Sequence, residues 1–308
     1  MKNLISILLF IVICASSLSA KEIVFATGPD GGVFRFFASG ISEHMNENQE
    51  ENEFVLLHSR GSVENLKIVE QRKADFAIVY SGDLYLAGQG KIERRVKYYR
   101  NAQAVSYLYS SNAQLVVRKD SDINSIQDLV GKRVAVGSIG SGASASAERF
   151  FNSLDLWRQI KPMFLGYSAG ADAMAAGEVD ALWLFTGFPN PAVQNLTESV
   201  DIKMLPILKQ EHQKLFREYP FYTETKIPAG TYKGVDQDVI TIADSTLWVA
   251  GKHVPADVVE QSLRMIYTDE GLAYLVSKKS TAKAMSLQDG TKGIVTPLHK
   301  GAERFWGK

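Results

Sequence analysis

One cysteine, nine prolines and five scattered histidines are all that 308 residues offer of those types. The cysteine, Cys14, falls in an N-terminal stretch that reads as a secretory leader. Lys2 gives a basic start, Leu4–Cys14 is nearly all apolar, and small residues run from Ser16 to Ala20 ahead of Lys21. Cleavage after Ala20 is expected and removes the only thiol, so the mature chain has no disulfide and no thiolate chemistry. Its stability must come from a packed core. Ile13, not a small residue, precedes Cys14, which argues against lipidation. The apolar run is shorter than the roughly 20 residues a membrane span needs, and nothing comparable follows it.

Charge of one sign is also missing. The 34 basic residues less Lys2 leave 33, against 34 acidic ones, which excludes the basic face expected of a nucleic-acid binder. There is no H-E-x-x-H, no paired cysteine and no histidine cluster, so a metal centre has no support. The glycine stretch Gly137–Gly142 lacks both the Gly-Lys-Ser/Thr of a phosphate-binding loop and the G-x-G-x-x-G spacing of a dinucleotide site. No cofactor is expected.

What is present is a strand–glycine loop–helix pattern that occurs twice. The apolar strand Val134–Val136 runs into a glycine–serine loop that opens a helix near Ala143, and Ile23–Phe37, IVFATGPDGGVFRFF, does the same near the start of the mature chain. Glycine lets backbone N–H groups approach a bound group closely. The free N–H groups and dipole of the first helical turn then favour a negative charge there. Ser138, Ser141 and Ser144 add hydroxyl donors.

Around these loops, strand and helix signals alternate. Helical spacing is read over Val33–Met45, Ser62–Arg72, Ala143–Leu154, Ala169–Ala176 and Asp257–Tyr267, with Ser62 as a helix cap. Strands are read at Phe54–His58, Phe76–Tyr80, Met163–Gly166, Asp180–Phe185 and Thr246–Ala250. The segments RKADFAIVYSG (Arg72–Gly82) and AGEVDALWLFTG (Ala176–Gly187) share a turn, an aspartate, an apolar strand and a small polar exit. Such alternation predicts an α/β fold with parallel sheets covered on both faces. About 288 residues exceed what one core usually organises, so two lobes are expected. Lobe I is placed at residues 21–114 and 251–308 and lobe II at 115–250, after a leader over 1–20. The β-rich run Ala104–Val117 and a later return strand form a two-stranded hinge, and Pro206–Val239 reads as a wrapping arm.

Ligands of open parallel sheets lie beyond the carboxyl ends of the strands. Two lobes facing one another there offer a helix start from each side. Position picks out Thr27, Gly32 and Phe34 at the first loop, Ser62 and Asn65 on the next helix start, and Tyr80 and Ser81 at a strand end. From the second lobe come Ser141, Gly142 and Ser144, with Thr186, Gly187 and Phe188 at the matching strand end. Arg35 and Arg60 could pair with an acidic ligand, but surface solvation is the commoner role of arginine. Gly166–Gly170, GYSAG, matches the nucleophile-elbow pattern G-x-S-x-G and offers Ser168 as a hydrolase nucleophile. No oxyanion-type loop accompanies it, and Ser168 is read instead as a helix cap.

The pieces TGPDGGVF (Thr27–Phe34), RGSVENL (Arg60–Leu66), ADFAIVYSGD (Ala74–Asp83), GKRVAVGSIGSG (Gly131–Gly142), GEVDALW (Gly177–Trp183) and GFP (Gly187–Pro189) carry a resemblance. YPFY (Tyr219–Tyr222), IPAGTYKG (Ile227–Gly234) and PLHKGAERFW (Pro297–Trp306) extend it over nearly all of the mature chain. The chain resembles the TAXI family of extracytoplasmic solute receptors, which serve TRAP-type secondary transporters. The resemblance implies a type II periplasmic-binding-protein fold and a periplasmic location. It implies capture of a small organic acid, glutamate-like or dicarboxylate, for delivery to the membrane subunits of an ion-coupled permease. It gives the chain no enzymatic role. Tyr80 stands where the family commonly has glutamine, Phe34 where it has tyrosine and Ala143 where threonine is frequent, all near the expected cleft. Two other roles stay open at this point: a secreted hydrolase built on Ser168, and a ligand-sensing module for a membrane sensor kinase.

Overall fold

Alternation of buried strands with amphipathic helices builds the chain as two copies of one plan. In the computed structural model, residues 20–29, 32–92 and 96–308 are described. The expected leader lies outside the described residues apart from Ala20, as do Asp30 and Gly31 of the first glycine loop. The first copy runs β1 (Lys21–Ala26), α1 (Val33–Asn48), β2 (Asn52–Leu57), α2 (Ser62–Glu70), β3 (Phe76–Tyr80) and α3 (Ser81–Gly88), and leads into the long strand β4 (Ala102–Arg118). The second runs β5 (Arg133–Ala135), α4 (Gly142–Ser153), β6 (Lys161–Met163), α5 (Tyr167–Ala175), β7 (Ala181–Thr186), α6 (Pro191–Leu196) and β8 (Ile202–Met204). There follow α7 (Gln213–Glu218), β9 (Thr223–Ile227) and the second long strand β10 (Val239–Gly251), then α8 (Ala256–Ile266), α9 (Asp269–Lys278) and α10 (Lys300–Trp306).

Sheet order shows the duplication. The strands lie in the sequence β2-β1-β3-β10-β4-β7-β5-β6. Each half has three parallel strands with the first between the second and the third, closed by one antiparallel long strand: β10 against β3, and β4 against β7. The third strands β3 and β7 are buried at every position, as a parallel strand covered on both faces must be. This is the type II periplasmic-binding-protein fold, two α/β lobes joined by two crossing strands.

The aspartate shared by the two repeated segments has one job in both. Asp75 donates its N–H to the Val24 carbonyl and accepts the Val24 N–H on its carboxylate at 2.9 Å. Asp180 donates its N–H to the Arg133 carbonyl and accepts the Arg133 N–H at 2.7 Å. In each half it therefore fixes the third strand's entry against the first strand. His253 at 3.1 Å and the Arg133 guanidinium at 2.7 Å complete the two pairs. Arg133 holds the Asp180 carboxyl below the usual carboxylate range.

The crossing happens within β4 and β10. From Ala102 to Asn112, β4 pairs with β10, and from Asn112 to Val117 it pairs with β7. β10 pairs with β9 over Val239–Ala243 and with β3 over Thr246–Ala250. The change of lobe on β10 thus lies near Asp244–Ser245, earlier than the boundary at residue 250 read from the sequence.

Other differences have local causes. Ser62 does not cap its helix. Gly61, at φ 110°, takes the cap position, and the Ser62 hydroxyl accepts the Tyr80 N–H at 2.9 Å. The chain after β3 turns directly into α3, which the polar exit Ser81–Asp83 had concealed. Pro206–Val239 contains α7 and β9, the latter an edge partner of β10.

The core of the first lobe centres on Trp248, fully buried, with Phe25 at 5.9 Å and Phe76 at 5.2 Å between ring centroids. Trp248→Ala is expected to cost about 3–5 kcal/mol of unfolding free energy. Equilibrium denaturation measures this, and a loss below about 1 kcal/mol would show that the stack is not what holds this lobe.

Candidate functional site

Four helix N-termini converge where the lobes meet. α1 and α2 have their N-caps at Gly32 and Gly61, α4 and α5 at Ser141 and Gly166, and residues from all four starts line one pocket between them. Gly32, Phe34, Ser62, Tyr80, Ser141, Gly142 and Thr186 line it, joined by Pro29, Val33, Arg60, Gly61, Ser138, Ala143, Gly166 and Tyr167. Each helix start contributes unpaired N–H groups and the positive end of a dipole, and together they make a field suited to an anion. No aspartate or glutamate lines the pocket among the described residues, and Arg60 is its one arginine or lysine.

The remaining expected residues stand behind the lining. Thr27 is buried; its carbonyl accepts from the Ser59 hydroxyl and the Asn65 amide, which ties the first loop to α2. Asn65 is fully buried and also donates to the Ile78 carbonyl at 2.7 Å, so it braces β1 against β3 from behind the lining. Ser81 turns away and donates to the Gly293 carbonyl at 2.7 Å. Ser144 completes the cap of α4, its N–H donating to the Ser141 hydroxyl at 3.1 Å. Gly187 packs against the Tyr109 ring and Thr281. Phe188, half-buried, packs against the core cluster of the second lobe. Buried polar residues at a strand end are as often braces as contacts, and the sequence does not separate the two.

Tyr167 and Gly166 are among the lining residues that position along the chain does not pick out, although a strand, a glycine and a helix mark the place. Ser168 lies exposed inside the first turn of α5, whose cap is Gly166, and it holds no histidine partner among the described residues. It is neither an elbow nor a cap.

Across the pocket the lobes touch. The Tyr80 hydroxyl of the first lobe donates to the Phe185 carbonyl of the second at 2.5 Å, and Tyr167 donates to the same oxygen at 2.9 Å. Burial pushes both phenols up, Tyr167 to about 12, so both stay protonated donors at neutral pH. Phe34 sets its ring edge-on to Tyr80 at 5.1 Å. Arg60 is held by Glu64 at 2.9 Å and reaches over Gly140 of the opposite loop. At Gly142 the lobes approach so closely that a β-carbon would lie 2.6 Å from the Tyr80 ring, 2.7 Å from Ser62 Cβ and 2.8 Å from an Asp83 carboxylate oxygen.

Gly142→Ala is accordingly expected to wedge the lobes apart while leaving each lobe folded. Small-angle scattering should give a larger radius of gyration, with circular dichroism unchanged. An unaltered radius would show that the two faces yield without opening.

Comparison with known proteins supports this architecture. The sequence model of the NMT1-like family matches residues 25–307, and the chain belongs to that family. Among solved structures, a putative L-cystine ABC transporter protein from Listeria monocytogenes shares 15% identity over 86% of this chain and 98% of its own, with a TM-score of 0.52. A structure for glutathione import via GshT and the cystine ABC importer TcyBC of Streptococcus mutans shares 14% over 84% and 94%, TM-score 0.52. A binding-protein component of an ABC phosphonate transporter from Pseudomonas aeruginosa shares 12% over 85% and 79%, TM-score 0.50. At these identities the likeness is one of fold. The family shown is broader than the TAXI group that the motifs resemble.

Proposed function

We propose that this NMT1-like chain is an extracytoplasmic receptor that captures a small organic acid between its lobes and hands it to a membrane transporter. The observation that carries the proposal is the convergence of four helix N-termini, two from each lobe, on one pocket with no carboxylate in its lining among the described residues. A helix start contributes roughly 0.3–1 kcal/mol to an exposed anion and up to about 2 kcal/mol to a partly buried one. Closure excludes water and strengthens each contact further.

Two pairs of helix starts suit an acid with a carboxylate at each end. The glutamate-like and dicarboxylate classes both offer carboxylates at two ends. The leader motif supports export to the periplasm, and the ordered TAXI-like motifs support an ion-coupled TRAP-type permease as the partner. The fold neighbours named above belong to ABC systems, and their identities are too low to bring that partner to this chain.

A thermal-shift screen of mono-, di-, keto- and amino acids tests the reading, because a ligand bound only by the folded chain stabilises it by about 2.7 kcal/mol at 100 times its Kd. An acid with a carboxylate at each end is expected to raise the midpoint most, and Arg60→Gln to weaken it by about tenfold, the loss of one charge-assisted contact. A chain whose midpoint ignores every acid would overturn the proposal.

A further inference from the structure

Behind the pocket, the interface between the lobes closes over charged groups that no solute would touch. Asp83 on α3 belongs to the first lobe and is fully buried; Arg149 on α4 belongs to the second and is nearly so. Their carboxylate and guanidinium lie 2.9 Å apart. Arg149 Nε donates to the Tyr222 hydroxyl at 3.0 Å, and the guanidinium faces the rings of Phe221 and Tyr222 at 6.0 Å. A second buried carboxylate, Asp244, stands on β10 where that strand changes lobe, paired in register with Ser111 of β4. It accepts the Gly82 N–H at 2.9 Å, which sets it against the first turn of α3 beside Asp83.

Two acids and one guanidinium are thus enclosed together. Both Asp83 oxygens, Asp244 Oδ1 and Arg149 Nη2 are buried without a hydrogen bond. The groups facing Asp244 are Asp83 and the Gly82 N–H on α3, Arg149 on α4, the Tyr222 hydroxyl before β9 and the Ser245 N–H on its own strand. Tyr219, with Glu148 and Glu218, lies on the outer side of Arg149. One guanidinium neutralises one carboxylate, and the other must either hold a proton or remain an uncompensated buried charge, which is the costlier state.

We propose that closing the lobes binds one proton at Asp244, so that the closed receptor is favoured on the acid side and loosens as the surroundings become alkaline. Asp83 keeps the ion pair with Arg149 while Asp244 supplies a neutral carboxyl to the hinge. Burial is the main cause holding the Asp244 carboxyl up at about 8; the nearby Asp83 charge adds to it, and the Gly82 N–H and Arg149 oppose it. In the open form Asp244 returns toward an ordinary carboxylate value, about 4. A group with a raised value in the closed state gives its stabilisation in full below the open-state value and loses it as pH rises to the closed-state value. The closing equilibrium therefore falls about tenfold per pH unit between about 5 and 8 and levels off above. The proposal does not rest on which solute lies in the pocket, and it needs none for its test.

The test is infrared spectroscopy of the ligand-free protein from pH 5 to 10. A protonated-carboxyl band is expected at pH 7, titrating near pH 8, and absent from Asp244→Asn, whose amide oxygen still accepts from Gly82. Gly142→Ala, with Gly142→Leu as the larger wedge, should lose the band at pH 7 in samples whose scattering shows the lobes apart. No such band in the wild-type protein at pH 7 would overturn the proposal. So would a band kept in Asp244→Asn or in a protein shown to be open.

Discussion

The antiparallel pairing of β4 with β10 is the interaction on which both lobes depend. β4 runs from its pairing with β10 to its pairing with β7 of the second lobe, β10 runs from its pairing with β9 to its pairing with β3 of the first, and their mutual ladder, from Ala243–Asn112 to Gly251–Ala102, links the two parallel sheets. A two-strand link resists shear, because slipping it by one residue would turn every side chain to the wrong face. It is softer toward bending. Two register irregularities, between Thr246 and Leu247 and between Trp248 and Val249, lie just beyond the change of lobe, and irregularities of this kind bend a strand locally. The lobes are thereby kept in register as they approach, which brings the Gly32, Gly61, Ser141 and Gly166 helix starts to one place.

Much of the plan could be read from the residues, and the limits of that reading are physical. The Asp75 and Asp180 segments were recognisable as counterparts because both need a carboxylate before an all-apolar strand, and the structure shows the shared reason in the twin bonds to Val24 and Arg133. The glycine loops were recognisable for a similar reason, since close backbone approach leaves a compositional trace. What could not be read was direction. Thr27, Asn65 and Ser81 sit at the expected strand and helix ends, yet their side chains point into the framework, and a polar residue's spacing does not reveal whether it faces a ligand or a carbonyl. Tyr167 was missed for the opposite reason. It is an ordinary apolar-looking position in a motif whose serine drew attention, and only the approach of β7 gives its hydroxyl the Phe185 carbonyl.

Two departures from the TAXI pattern acquire a physical meaning in this setting. Tyr80 and Phe34 meet edge to face, and the Tyr80 hydroxyl crosses to the other lobe. A glutamine at residue 80 would be shorter and would present an amide with both donors and an acceptor. The tyrosine gives up that versatility for reach, and in exchange one side chain both walls the pocket and fastens the lobes. Its donor is used on Phe185, which leaves Arg60, Ser62 and the backbone N–H groups of the α1 and α2 starts as the first lobe's polar groups at the pocket. Selection by a cage of dipoles is tolerant of the solute's chain and strict about its charge, since dipoles at helix starts discriminate by sign more than by shape.

The same economy explains why Gly142 and the charged cluster belong together. A side chain at residue 142 would meet Tyr80, Ser62 and Asp83 at once, so the absence of a β-carbon is what allows α4 to come down onto the first lobe. When it does, Arg149, farther along the same helix, arrives beside Asp83 and Asp244. Burial alone would depress the guanidinium's basicity, but Tyr222 and the Asp83 carboxylate outweigh that and hold it charged. One helix therefore delivers its N-terminal turn to the pocket and its cation to the hinge in a single movement. Neither end can reach its position without the other, and solute capture and the state of the buried acids are coupled through a rigid body.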